Sequence, residues 1–211
     1  LWALPLGVVC GLYSIYYSFI GNRIGRFYTT MRHPALKWVA SGMSIGLLIF
    51  ALPSLYGEGY GVIARILDGH GIEALTYGSI IGMIGHMSPL ATLLLLSGAA
   101  ALVKSIASAS TNDGGGVAGD FAPTIFAGAV VGFFFAAVAT MATHADVSLP
   151  ALVLMAMGGV MAGAVRAPLM AMFIVAEMTG AYSLLLPVAL TATLSYLIVK
   201  LASLRSARSG S

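Results

Sequence analysis

The stretch GGGVAGDFAPTIFAGAVVG, Gly114–Gly132, decides how this chain is read, because a glycine-rich approach runs there into an apolar helix. The spacing predicts that the helix begins near Phe121, with Pro123 inside its first turn, where a missing N–H costs nothing. A helix that starts among apolar segments has its first turn in low dielectric, and its unpaired amides and positive dipole end face whatever lies in front of them. Such a tip invites an anion.

Working outward, the composition fixes the class. Of 211 residues, 59% are hydrophobic and 8% charged, a balance that soluble domains do not show. Apolar runs recur at Leu1–Ile20, Trp38–Leu55, Ile72–Ile84, Pro89–Ala109, Phe121–Ala142, Leu149–Val165, Pro168–Met178 and Leu184–Leu204. They fill the whole length, so neither a signal peptide nor one anchor explains them. The expectation is an all-α, polytopic membrane protein forming a single membrane domain over residues 1–211 with no soluble domain. Crossing a hydrocarbon core of about 30 Å takes about 20 helical residues, so the shorter runs predict tilted and half-spanning helices. Their open ends need cover from protein or a polar cavity, since lipid satisfies no backbone group, and that pattern is the one transporters and channels use.

The interruptions carry information of their own. Pro89, Pro123, Pro150 and Pro168 stand at or near the starts of apolar runs. Asn112, Asp113 and the three glycines after them are expected as the clearest non-helical segment of the second half, and YGEGYG, Tyr56–Gly61, as that of the first. Glycines four apart, among them Gly7/Gly11, Gly42/Gly46, Gly78/Gly82, Gly128/Gly132 and Gly159/Gly163, predict close helix contacts. Arg23, Arg26, Arg32 and Lys37 follow the first run and Lys200, Arg205 and Arg208 the last, which places both clusters on the cytoplasmic face. The net charge of +3 therefore reflects membrane topology, and no nucleic-acid partner is expected.

Enzyme chemistry finds no support in the pattern. There is no HExxH, no GK[ST] after the glycine-rich loop and no nucleophile–base motif. The single cysteine, Cys10, reads as a buried structural thiol. His33, His70, His86 and His144 share no metal-ligand spacing, so no metal and no cofactor are expected.

With those residues in view, a family resemblance emerges. GDFAP, Gly119–Pro123, resembles the GxFxP motif of the CLC chloride channels and chloride/proton antiporters. The likeness extends upstream to Lys104 on an apolar run that leads into a Ser/Gly-rich loop, and to LPSLYGEGY. Downstream it takes in GGVMAGAVRAPLMAMFIVAEMTGAYSLLLP, Gly158–Pro187. The resemblance covers nearly the whole chain, and GxFxP joined to RAPL and EMTG at suitable spacing makes it specific.

What the resemblance implies is the second half of an inverted-repeat membrane domain whose N-terminal membrane half is missing from this sequence. It implies a multi-pass protein of the cell membrane that moves chloride or another small anion, as a voltage-gated-type channel or a chloride/proton antiporter, with chloride as its ligand. By the same likeness the amides of Asp120 and Phe121 would face the anion, Gly119 and Ala122 would belong to the same tip, and Pro123 would lock the helix start. A homodimer is implied, joined through about Pro168–Met178 and Leu184–Leu204. The family's GSGIP serine, its GREGP glutamate and its inner proton glutamate have no counterpart here, nor does a pore tyrosine beyond the last run. Tyr182 precedes that run and is not it. A non-conducting orphan half, or an assembly or scaffold subunit, is the competing reading.

Three charges are singled out. A carboxylate at Asp120 about 6 Å from an anion would oppose it by roughly 3 kcal/mol at an effective dielectric of 20. It must therefore point away, be protonated, or cap the helix, and the cap is the expectation. Lys104 either raises the positive potential beside the anion or snorkels to an interface. Arg166 either orders the turn before Pro168 or lines an anion entrance, and Glu177 is expected to make structural hydrogen bonds.

Overall fold

The computed structural model of the protein describes residues 2–79, 88–117, 119–143 and 147–209. Among them every regular element is helical: α1 Ala3–Thr29, α2 Pro34–Ala51, α3 Tyr60–Leu67, α4 Gly71–Thr76, α5 Pro89–Asp113, α6 Phe121–Thr143, α7 Leu149–Val165, α8 Pro168–Thr179 and α9 Leu185–Ser209, with short 3₁₀ turns at Pro53–Leu55 and Tyr182–Leu184. The helices α1, α2, α5, α6 and α9 are long and apolar enough to cross a membrane, whereas α7 and α8 are shorter apolar helices. The chain is thus an all-α, polytopic membrane protein.

The starts at Phe121, Leu149 and Pro168 fall where the apolar runs begin. Two breaks differ from expectation. Asn112 and Asp113 belong to α5, which ends at Asp113 with the amide of Gly114 bonded to Ser110 O. Tyr60 and Gly61 open α3, whose buried Ile63 and Ile66 lie one turn apart, so the first break shrinks to Tyr56–Gly59. The run Ile72–Ile84 is cut after Thr76, Gly78 taking a left-handed φ of 68°. The remainder of that run, with Gly82, His86 and His144, lies outside the described residues.

Glycine contacts fix the relative directions of the helices. A Cβ placed on Gly128 would lie 2.6 Å from Met157 Cα, and one on Gly132 would lie 2.7 Å from Val153 Cα, so α6 and α7 run antiparallel with their backbones touching. Gly7 faces Leu194 and Gly11 faces Ile198, which makes α1 and α9 parallel and brings their basic C-terminal ends to one side. Gly159 meets Cys10 and Thr191, and Gly163 meets Ser14 and Ser195, so α7 runs with both. Cys10 is buried in this seam, and Ser14 Oγ donates to Cys10 O at 2.8 Å and to Val160 O at 3.1 Å. Adding a methyl at such contacts overpacks them at a cost of about 1–3 kcal/mol. By contrast, a Cβ on Gly42 or Gly46 meets nothing, and α2 is exposed along most of its length.

These registers set a depth. The start of α6 and the end of α7 both stand beside Tyr17 and Ser18, around one shared cavity. Past that level α1 continues to Thr29 and α9 to Ser209. At 1.5 Å per residue the overshoot of α1 is about 16 Å, roughly half of a hydrocarbon core. Two helices therefore end at a level where their neighbours carry on, and Gly119, Asp120, Phe121 and Arg166 at those ends are exposed.

Candidate functional site

The tip of α6 is built by its own sequence. Thr124, fully buried, donates its hydroxyl to Asp120 O at 2.7 Å and to Phe121 O at 2.9 Å, while its amide reaches Asp120 O at 3.3 Å. Pro123 contributes no N–H, and the first turn of a helix has no use for one. Gly119 has open space where a side chain would begin.

Two cavities flank this tip. The first, about 540 Å³, is lined by Gly119, Phe121, Ala122 and Pro123 together with Lys104 from α5 and with Glu58 and Tyr60 at the start of α3. The second, about 390 Å³, is lined by Asp120 and Thr124 with Asp113, Arg166, Tyr17 and Asn22. The structure thus gathers Gly119, Phe121, Ala122, Pro123 and Lys104 on one side, and sends the Asp120 side chain and Arg166 to the other.

Lys104 is only 5% exposed, and its Nζ donates to Leu55 O at 3.3 Å and Gly57 O at 3.2 Å while standing 4.7 Å from the centre of the Phe126 ring. The ammonium is enclosed by the protein and finds carbonyls. It ties down a turn that depends on glycine, since Gly57 and Gly59 have φ of 69° and 84°, conformations that cost a side chain about 1–2 kcal/mol. A Cβ at Gly59 would also strike the Phe126 ring, so the turn rests directly against α6.

Asp120 departs from the expected cap. Its Oδ1 accepts from Asn112 Nδ2 at 2.9 Å, across the loop that joins α5 to α6, and no α6 amide donates to it among the described residues. The final turn of α5, continuing through Asn112, places a donor where the carboxylate meets it before it can reach back to its own helix. Arg166 ends α7 in a left-handed conformation, φ 61°, and so orders the turn before Pro168. Glu177 is exposed at the end of α8. His33 and His70 flank the starts of α2 and α4. Sequence reasoning did not single out Glu58, Tyr60, Asn112, Tyr17 or Ser108; YGEGYG was visible as a break, but nothing in it disclosed which cavity it would border.

The fold and the site define a multi-pass membrane protein in which two helices end partway along their neighbours and border polar cavities. The family model described as "Voltage gated chloride channel" matches residues 1–200. The chain belongs to the voltage gated chloride channel family. Among curated relatives it is 26% identical over 195 residues to a putative chloride channel protein ClcB-like of Ralstonia nicotianae, covering 92% of this chain and 41% of that one. It is 26% identical over 194 residues to an H(+)/Cl(−) exchange transporter ClcA of Vibrio cholerae, covering 89% and 37%. It is 28% identical over 153 residues to a voltage-gated ClC-type chloride channel ClcB of Salmonella typhimurium, covering 72% and 32%. The chain spans about two fifths of the length of the first of these relatives.

Proposed function

We propose that this chain supplies one wall of a chloride pathway, in which the anion exchanges hydration for the backbone amides at the α6 tip, those of Asp120 and Phe121, within the cavity that Lys104 borders. The observation that carries the reading is the placement of that tip: an open helix start, level with the middle of α1, facing a cavity of about 540 Å³ whose buried lysine is satisfied by carbonyls and not by a carboxylate. Amides and a positive dipole end favour an anion, and the absence of a direct charge contact keeps binding weak enough for release. The names of the relatives, exchangers and channels for chloride, agree with chloride as the ligand.

The same reading makes the chain the second half of a membrane domain, with an N-terminal half contributing the facing wall, and the complete protein a homodimer joined through α8 and α9. Both helices carry exposed apolar residues, Leu169, Phe173, Leu186, Leu190, Leu197 and Leu201 among them. Chloride flux and chloride binding in proteoliposomes test it, with Gly119→Val as the decisive variant, since the added side chain enters open space in front of the tip. Selective flux that Gly119→Val abolishes supports the pathway. Absence of selective flux and of chloride binding from the intact protein would overturn it and favour a non-conducting assembly subunit.

A further inference from the structure

The two cavities share one residue. Ser108, on α5 and 6% exposed, lines both, and its hydroxyl oxygen accepts a hydrogen bond of 2.9 Å from the Tyr17 hydroxyl. Tyr17 itself borders only the cavity that holds Asp113 and Asp120. A polar link therefore runs beside the α6 tip from one side to the other.

What Tyr17 bonds to separates it from its neighbours. Tyr13 and Tyr16, on the same helix, donate to the carbonyls of Ala101 and Leu102. A carbonyl has no proton to pass on and ends a donor chain, whereas a serine hydroxyl both accepts and donates and so continues it. The packing of α1 on α5 could have been served by carbonyls at every step. At Tyr17 alone of these three tyrosines, the acceptor is a hydroxyl that also reaches the other cavity.

We infer that Tyr17 and Ser108 form a proton relay between the carboxylate-bearing cavity and the Lys104 cavity, an inference that rests on reading the latter as the anion's. A proton arriving from water or a protonated carboxyl group on the first side binds the Tyr17 oxygen as the original Tyr17 proton passes to Ser108 Oγ. The original Ser108 proton leaves to water on the second side. At each oxygen one O–H bond forms and one breaks, no charge remains on either residue, and rotation of both hydroxyls resets the pair. The surrounding charges suit protons on one side and anions on the other. Facing the relay from the first cavity are Asp113 at the end of α5, Asp120 before α6 and Arg166 at the end of α7; from the second come Lys104 and Glu58. Two carboxylates against one guanidinium disfavour chloride entry by the first route.

The test uses the intact protein in proteoliposomes, with proton movement driven by a potassium diffusion potential and chloride binding measured in parallel. Tyr17→Phe, which removes the hydroxyl and little else, is expected to cut proton movement by about a hundredfold, the scale of a lost positioned proton-transfer group, with chloride binding unchanged. Ser108→Ala, a second break at a different residue, is expected to cut proton movement likewise, and Tyr16→Phe to leave it intact. The relay is overturned if the wild type moves no protons, if Tyr17→Phe moves them at the wild-type rate, if Tyr16→Phe is equally impaired, or if Tyr17→Phe loses chloride binding along with proton movement. If proton movement depends on Tyr17 while chloride fails to bind at all, the relay stands and the anion reading falls.

Discussion

The two sides of the α6 tip are made by consecutive residues and differ in nearly every physical respect. On one side Gly119, Phe121 and Ala122 border a cavity whose buried cation, Lys104, is held by carbonyls. On the other, Asp120 turns its carboxylate toward Asn112, in a cavity with Asp113 and Arg166. The carboxylate of Asp120, just before the helix, is held by the Asn112 amide across the loop, while Phe121 and Ala122 in the first turn border the other cavity. The lesson is that an acidic residue at a helix start need not direct its carboxylate into the cavity that its neighbours border.

The largest effect expected is that of Gly119→Val, which should reduce chloride flux by about a hundredfold, the scale of removing preorganised backbone donors, with little change in thermal stability because the site has room. A variant that conducts normally would show that the Lys104 side of the tip is not the working one. Next comes Lys104→Met. For an anion about 8 Å from the ammonium at an effective dielectric of 20, its loss should weaken chloride binding by roughly 2 kcal/mol, about thirtyfold, while Lys104→Arg should retain most of the affinity. Equal losses in Arg and Met variants would mean that the lysine serves only to hold the Leu55 and Gly57 carbonyls.

A third prediction concerns what sets the depth of the tip. Gly128→Ala should destabilise the protein by about 1–3 kcal/mol, since its methyl would lie 2.6 Å from the Met157 backbone, whereas Gly42→Ala should be close to neutral in the same thermal melt. The smallest effect expected is that of Asp120→Asn on chloride affinity. If the carboxylate truly belongs to the second cavity, the change should stay within about threefold; a gain of about a hundredfold, the scale of the roughly 3 kcal/mol repulsion at 6 Å, would break the contrast between the two sides.

Much of this fold was legible in the residues. Phe121, Leu149 and Pro168 begin helices because apolar runs restart there after polar or charged residues, and the contacts at Gly7/Gly11, Gly128/Gly132 and Gly159/Gly163 follow from close approaches that only glycine allows. Gly42/Gly46 has the same spacing and no neighbour, so spacing alone did not say which stripes are occupied. The α3 helix was hidden because it is short and begins with Tyr60–Gly61, residues that read as a break. In the site, the tip and the presence of a lysine beside it were legible from GDFAP and the run before it. The direction of the Lys104 ammonium, the partner of Asp120 and the Tyr17–Ser108 bond were not, because each joins separate elements through side-chain geometry that no local pattern encodes.

The backbone contact between α6 and α7 has a mechanical consequence. With Gly128 and Gly132 seated against Met157 and Val153, neither helix can slide like a piston past the other without a collision, so the height of the amide cluster is a fixed dimension of the molecule. The turn beside it, from Leu55 to Gly59, is pinned at the same height, by the Lys104 ammonium on the Leu55 and Gly57 carbonyls and by Gly59 against the Phe126 ring.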